Sequence, residues 1–75
     1  MKEKIIEVLS KVNPDIATYE GENLISDMGI DSHDIFNIVV GLEEIFDVEI
    51  EPIYLKVSNF TSIEKIEKMI QEIKG

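Results

Sequence analysis

Residues 31–46 read DSHDIFNIVVGLEEIF, and this stretch decides the fold of the 75-residue chain. Asp31 is a favourable N-cap for a helix, and Asp34 adds a second acid in the first turn. The β-branched residues of the stretch favour a strand, but the helical period of its apolar positions and the cap outweigh that propensity. The residues predicted to face the core are Ile38, Val39, Leu42 and Phe46.

A first helix is predicted from Lys2 to Val12. Its apolar positions follow the helical i, i+3, i+4, i+7 spacing, and they are Ile5, Ile6, Leu9 and Val12. Asn13 ends the helix, because the residue before Pro14 is driven out of the α region. The connection over residues 13–30 is long for so small a domain, so a turn or a short helix is expected within it.

The C-terminal part contains two further helical patterns. Pro52 starts a short segment, Ile53 to Val57, with one or two helical turns. Thr61 or Ser62 caps a last helix, and Glu64 completes a capping box. Its apolar face comprises Ile63, Ile66, Met69, Ile70 and Ile73. The predicted fold is all-α: a small three-to-four-helix bundle with a long first loop and a short third helix, in one domain over residues 1–75.

The composition narrows the class of protein. A hydrophobic content of 44% suffices for one small core, and the absence of cysteine leaves helix packing to hold it together. No apolar run approaches the ~20 residues of a membrane span, and no signal-peptide core follows the first lysines. We expect a cytoplasmic protein that does not bind membranes. Its start at Met1 and end at Gly75 suggest a free-standing chain.

The charge is unevenly distributed. The net charge of −9 argues against nucleic acids and anionic membrane surfaces as partners, because both are bound through lysine and arginine. Between Val12 and Leu55 lie 11 of the 16 acids and none of the seven lysines. Solubility is one explanation for this acidity. The clustering favours an acidic face on which basic proteins dock.

Ser32 is the candidate functional residue. At the first turn of the predicted helix its hydroxyl lies at the surface, where free backbone N–H groups and the positive end of the helix dipole favour an attached phosphate. Serine is also a common helix cap, but Asp31 already fills that role. The hydroxyl is therefore available as an attachment point.

Three segments resemble the acyl carrier protein family: NLISDMGIDS at residues 23–32, LEEIFDVEI at 42–50 and NFTSIEKI at 59–66. The resemblance implies that Ser32 carries 4′-phosphopantetheine, transferred from coenzyme A by a phosphopantetheinyl transferase (holo-carrier-protein synthase), with Asp31 and His33 beside the attachment site. The arm would hold acyl groups as thioesters for fatty-acid, polyketide or related biosynthesis. The chain itself would then be a carrier and not an enzyme.

The resemblance also implies a partner-binding surface on the central helix, made of Asp34, Phe36, Asn37, Val40, Glu43, Glu44 and Asp47. Besides the transferase, the expected partners of the monomer are acyltransferase, ketosynthase or ligase enzymes with basic surfaces. Four positions depart from the family pattern: Phe36 is larger than the usual aliphatic residue, and Ile45 replaces a third glutamate after Glu43 and Glu44. His33 stands where leucine is usual, and Asn37 stands where fatty-acid carriers have glutamate.

Alternatives remain open at this stage. The cargo could be an aminoacyl, peptidyl or D-alanyl group, or the chain could be a small acidic protein-interaction module whose Ser32 is unmodified. A calcium loop starting at Asp27 needs glycine at its sixth position and glutamate at its twelfth, where Ser32 and Ile38 stand. No metal site is predicted. A single histidine adjacent to the serine makes no credible catalytic triad.

Overall fold

Four α-helices form the described part of the chain. The computed structural model describes residues 2–19, 21 and 23–75. The helices are α1 (Lys2–Val12), α2 (Leu24–Met28), α3 (Ser32–Phe46) and α4 (Ile63–Lys74), with 3₁₀ turns at Pro14–Thr18, Pro52–Tyr54 and Val57–Phe60. No strand occurs within those residues. The all-α prediction is confirmed.

Helix α1 has the predicted bounds but turns a slightly different face to the core. It buries Ile5, Val8 and Leu9, whereas Ile6 and Val12 are only partly buried. Val8 was not among the predicted core positions. It is buried because α3 has a glycine opposite: a Cβ at Gly41 would lie 2.7 Å from a Val8 methyl carbon. The two helices therefore approach closely at this pair.

The long first connection contains the short helices expected of it. The Pro14–Thr18 turn buries Ile16, and α2 buries Leu24. The Tyr19 hydroxyl links the two pieces, since it donates to Oδ2 of Asp27 at 2.6 Å and accepts the Asn23 N–H at 2.9 Å. The loop is thus held by buried aliphatic side chains and by hydrogen bonds at its surface.

The C-terminal part contains the short helical turns expected after Pro52, whereas one prediction there is wrong. The turns are two separate 3₁₀ turns, because Leu55, with ψ of 60°, leaves the helical region between them. Ser62 is the N-cap of α4, and its hydroxyl accepts the Lys65 N–H at 3.2 Å. Glu64 is consequently the second helical residue, one position too early for a capping box.

One hydrophobic cluster holds the elements together. Its buried members come from all four helices and from the connections, and they include each residue of the predicted α3 stripe: Ile38, Val39, Leu42 and Phe46. Ile66, Met69 and Ile70 of α4 are buried as predicted, with Ile63 and Ile73 at the edge. Within the described residues, no polar or charged side chain is buried and no helix combines the length and apolar character needed to cross a membrane.

Candidate functional site

Ser32 is the first residue of α3 and is exposed. Its hydroxyl makes no hydrogen bond within the part of the chain that the structure describes. Its neighbours cap the helix. Oδ1 of Asp31 accepts the Asp34 N–H at 2.9 Å, and Oδ2 of Asp34 accepts the Asp31 N–H at 3.3 Å. This reciprocal pair leaves the serine oxygen free to react.

The turn before Ser32 is held in a defined conformation. Gly29 adopts a left-handed conformation, with φ of 64°, at the C-terminus of α2. Glycine suits this position because a Cβ is strained there. The next residue, Ile30, is buried in the core and its N–H donates to the Ile25 carbonyl at 3.0 Å. Two residues later the serine emerges at the surface, so α2 and the core set its position.

The electrostatics at this end of α3 combine two carboxylates with the positive end of the helix dipole. The Asp34 backbone N–H lowers the pKa of Asp31 below its usual value near 3.8, and the nearby His33 lowers it further. Asp31 is therefore ionised at neutral pH and its charge is directed at the helix N-terminus. The charged carboxylate stabilises α3 and makes no hydrogen bond to the Ser32 hydroxyl.

Ser32, Phe36 and Val40 lie on one face of α3, since residues four apart along a helix are neighbours. The Phe36 side chain is 64% exposed and Val40 is 36% exposed. Two bulky apolar groups therefore continue the surface on which the serine sits. They are available to a partner protein that reaches Ser32.

The neighbouring face of α3 is polar. The Asn37 amide nitrogen lies 3.4 Å from Nδ1 of His33, and both side chains are exposed. Glu44 and Asp47 are exposed farther along the helix, and Asp47 ends it in a left-handed conformation. These residues are where the sequence pattern predicts them, on the surface of the helix that begins at Ser32.

Glu43, which the sequence analysis places in the partner-binding surface, is not fully exposed. Its side chain is half-buried, and Oε2 accepts the Ile50 N–H at 2.9 Å. The carboxylate thus ties the segment after α3 back onto the helix. Asp34 is also half-buried and is committed to the capping box. Both acids have a structural role here, whereas Glu44 and Asp47 remain open to solvent.

No protein-family model and no solved structure matches this sequence. Two curated proteins do. The acyl carrier protein of Campylobacter lari is 36% identical over 75 residues, an alignment that covers the whole chain and 88% of that protein. The chain belongs to the acyl carrier protein family. The acyl carrier protein of Syntrophobacter fumaroxidans is 42% identical over 53 residues, or 67% of this chain and 64% of its own length.

Membership in the acyl carrier protein family supports a carrier function and implies a phosphopantetheine arm. The residues around Ser32 fit such a group. The hydroxyl is exposed and unpaired, and its two acidic neighbours direct their carboxylates at backbone N–H groups. A phosphodiester on the oxygen would lie at the first turn of a 15-residue helix, where the dipole favours negative charge.

Three exposed apolar residues of this carrier were missed at the sequence level. Ile53 is 66% exposed, Leu55 48% and Val57 61%. They alternate along the chain, and this spacing would have indicated that one helix face could not bury all three. Their segment starts just after Ile50, whose amide is bound by Glu43. The segment after α3 thus exposes more apolar surface than the acid content of residues 12–55 suggests.

In the described part of the chain, the acids between Val12 and Leu55 form no ion pair with a lysine. The ion pair found there joins Nζ of Lys2 to Oε1 of Glu64 at 4.0 Å. Glu20 and Glu22 lie outside the described residues. Asp34 and Glu43 are half-buried, and the exposed acids of this stretch are Asp15, Asp27, Asp31, Glu44, Asp47, Glu49 and Glu51. Across residues 2–19, 21 and 23–75, no group of three or more possible ligand side chains could hold a metal ion.

Proposed function

We propose that this protein carries acyl groups as thioesters on a 4′-phosphopantetheine arm attached to Ser32, for fatty-acid, polyketide or related biosynthesis. The observation that carries the proposal is the exposed, unpaired hydroxyl of Ser32 at the start of α3. Family membership supports it. The chain performs no catalysis in this proposal and presents its cargo to other enzymes.

Attachment follows from the chemistry of coenzyme A. The Ser32 oxygen attacks the phosphorus next to pantetheine in the diphosphate of coenzyme A. The bond between that phosphorus and the bridging oxygen breaks, and adenosine 3′,5′-bisphosphate leaves with the bridging oxygen. The transferase accepts the hydroxyl proton, since the carboxylates of Asp31 and Asp34 are engaged by backbone N–H groups. When attached, the arm supplies a thiol that holds the acyl group.

Partner enzymes are proposed to dock on the exposed faces of α3. Phe36 and Val40 continue the face of Ser32, so an enzyme that contacts them has the arm within reach. Glu44 and Asp47 add exposed negative charge beside this apolar strip. Such a surface suits a phosphopantetheinyl transferase, an acyltransferase, a ketosynthase or a ligase with a basic docking site.

Intact-mass measurement tests the attachment. The purified chain is incubated with coenzyme A and a broad-range phosphopantetheinyl transferase. We expect a gain of one phosphopantetheine in the wild type and in Ser26→Ala, a control at another exposed serine, and no gain in Ser32→Ala. A wild type that stays unmodified overturns the proposal, and a modified Ser32→Ala moves the attachment to another residue.

The acidic docking surface is tested by the association rate of the chain with that transferase. Exposed charges are screened over ~8 Å at physiological ionic strength, so the rate should fall as salt rises. Glu44→Lys should slow association more than Glu72→Lys, which makes the same charge change on the exposed surface of α4. A flat salt profile with equal rates for the two variants would restrict the acidity to a role in solubility.

A further inference from the structure

We propose that His33 and Asn37 act together as a polar recognition element that selects the phosphopantetheinyl transferase of this chain, an inference that rests on the proposed function. The Asn37 amide nitrogen lies 3.4 Å from Nδ1 of the His33 ring, and both side chains are exposed. The pair forms the polar face of α3 that adjoins the face of Ser32. It favours a transferase surface that forms hydrogen bonds there over one that offers an apolar pocket and a cation.

The position of His33 brings it into contact with the enzyme that modifies Ser32. It directly follows the serine in the first turn of α3, so an enzyme that encloses the serine oxygen together with coenzyme A also covers this ring. Asn37 lies one turn farther along the helix. The carboxylates of Asp31 and Asp34 are directed at each other's backbone N–H groups. His33 and Asn37 have no comparable commitment within the described residues and remain available to a partner.

The contact between the two side chains determines which groups they present. An amide nitrogen donates hydrogen bonds and does not accept them, so Nδ1 of His33 is the acceptor and the ring proton lies on Nε2. The pair therefore offers a partner the Nε2–H donor of His33 and the Oδ1 acceptor of Asn37. A partner surface that covers these groups without matching ones leaves them unpaired, which weakens binding. The pair thus distinguishes between partners by their hydrogen-bonding groups.

The charges along α3 separate this element from the acidic part of the docking surface. The first exposed acid within α3 is Glu44, seven residues after Asn37 and about 10 Å farther along the helix. Basic groups of a partner therefore find their counter-charge towards the C-terminal end of α3. A groove between α1 and α3, lined by His33, Asn37, Lys11 and Val12 among others, gives a partner side chain room beside the polar pair.

The two residues are also among the positions at which the chain departs from the family pattern. A transferase suited to leucine and glutamate at these positions meets an uncharged amide and an imidazole in their place. It loses an apolar contact at His33 and an ion pair at Asn37, and it leaves polar groups unpaired. Because the two side chains touch, their effects on recognition should be coupled.

Loading kinetics with two transferases test the inference. One is a broad-range enzyme, and the other is a fatty-acid-type enzyme that loads carriers with leucine and glutamate at the two positions. The variants are His33→Leu, Asn37→Glu and the double variant. Gln71→Glu is the matched control, because it makes the same amide-to-acid change on the exposed surface of α4. Initial rates over a range of carrier concentrations give KM and kcat separately.

With the fatty-acid-type enzyme, the double variant should have a kcat/KM about tenfold above that of the wild type, mostly through a lower KM, because no polar group is left unpaired. The effects of the two single changes should not add up to that of the double variant. Gln71→Glu should match the wild type. The broad-range enzyme accepts diverse carriers and should load all forms at similar rates, which also shows that the variants are folded.

A double variant that does not exceed the wild type with the fatty-acid-type enzyme overturns the inference alone. The same holds if Gln71→Glu gains as much as Asn37→Glu, because net charge would then explain the change. Slower loading of the double variant by both enzymes would assign the pair a structural role and would also overturn the inference. A wild type that neither enzyme loads overturns the proposed function as well.

Discussion

Val8 of α1 occupies the space that a side chain at Gly41 of α3 would need. A Cβ at position 41 would lie 2.7 Å from one Val8 methyl carbon and 3.5 Å from the other. Real Cβ atoms essentially never show a contact as short as 2.7 Å, so this glycine determines how closely α1 and α3 approach each other.

Gly41→Ala should destabilise the protein by about 1 to 3 kcal/mol, because the added methyl overpacks a close helix contact. An ordinary glycine-to-alanine change inside a helix has the opposite sign. Urea unfolding measures the difference. The double variant Val8→Ala/Gly41→Ala should lose less stability than the sum of its single changes, since the smaller residue 8 makes room. A Gly41→Ala protein more stable than the wild type would contradict the close packing.

Gly29→Ala should cost about 1 to 2 kcal/mol through backbone strain alone, because φ is 64° and no heavy atom lies within 4 Å of the added Cβ. Gly29→Asn should lose less, since asparagine tolerates the left-handed region. Thermal or urea unfolding provides the comparison. Equal losses for alanine and asparagine would show that the turn before Ser32 does not need this conformation.

Glu43→Ala should weaken the attachment of the segment after α3 to that helix. The half-buried carboxylate accepts the Ile50 N–H at 2.9 Å, and a hydrogen bond to a charged group contributes about 1.5 to 3 kcal/mol. Hydrogen exchange at the Ile50 amide should accelerate in Glu43→Ala. Glu44→Ala removes an exposed acid from the same helix turn and should leave that amide unchanged. Unaltered exchange in both variants would contradict the assigned role of Glu43.

The pH dependence of stability should include a contribution from Asp31. Its pKa is lowered in the folded protein by the Asp34 N–H, so its stabilising effect is complete above the unfolded value near 3.8. The effect is lost as the pH falls through the lower, folded pKa. Asp31→Asn keeps an acceptor for the cap but cannot titrate. The stability difference between wild type and Asp31→Asn should therefore shrink below about pH 4, and a difference independent of pH would contradict the shift.

Local signals in the sequence predict most of the helical framework. The caps and apolar spacing locate α1 and α3 at the observed bounds, and Asp31 and Ser32 take the expected places at the start of α3. These features depend on residues within one or two turns of each other. The same is true of the buried faces of α3 and α4.

The missed features depend on contacts between distant parts of the chain. Val8 is buried because Gly41, 33 residues later, lacks a side chain. Glu43 looks exposed by its helical position, but a loop seven residues ahead returns to it. Which of Thr61 and Ser62 caps α4 depends on where the preceding 3₁₀ turn ends. It ends at Phe60, and Ser62 is the cap. Periodicity in the sequence contains none of this information.

The unequal placement of charge along the chain has a consequence for how the molecule turns in solution. All seven lysines lie before residue 12 or after residue 55, on α1, on α4 and in the segment before α4, whereas the lysine-free stretch between them includes the whole of α3. Such a molecule has an electric dipole moment as well as a net charge. In the docking proposed above, the field of a basic enzyme surface would exert a torque that rotates the α3 side towards it before contact. Ser32, at the leading end of that side, would arrive already oriented.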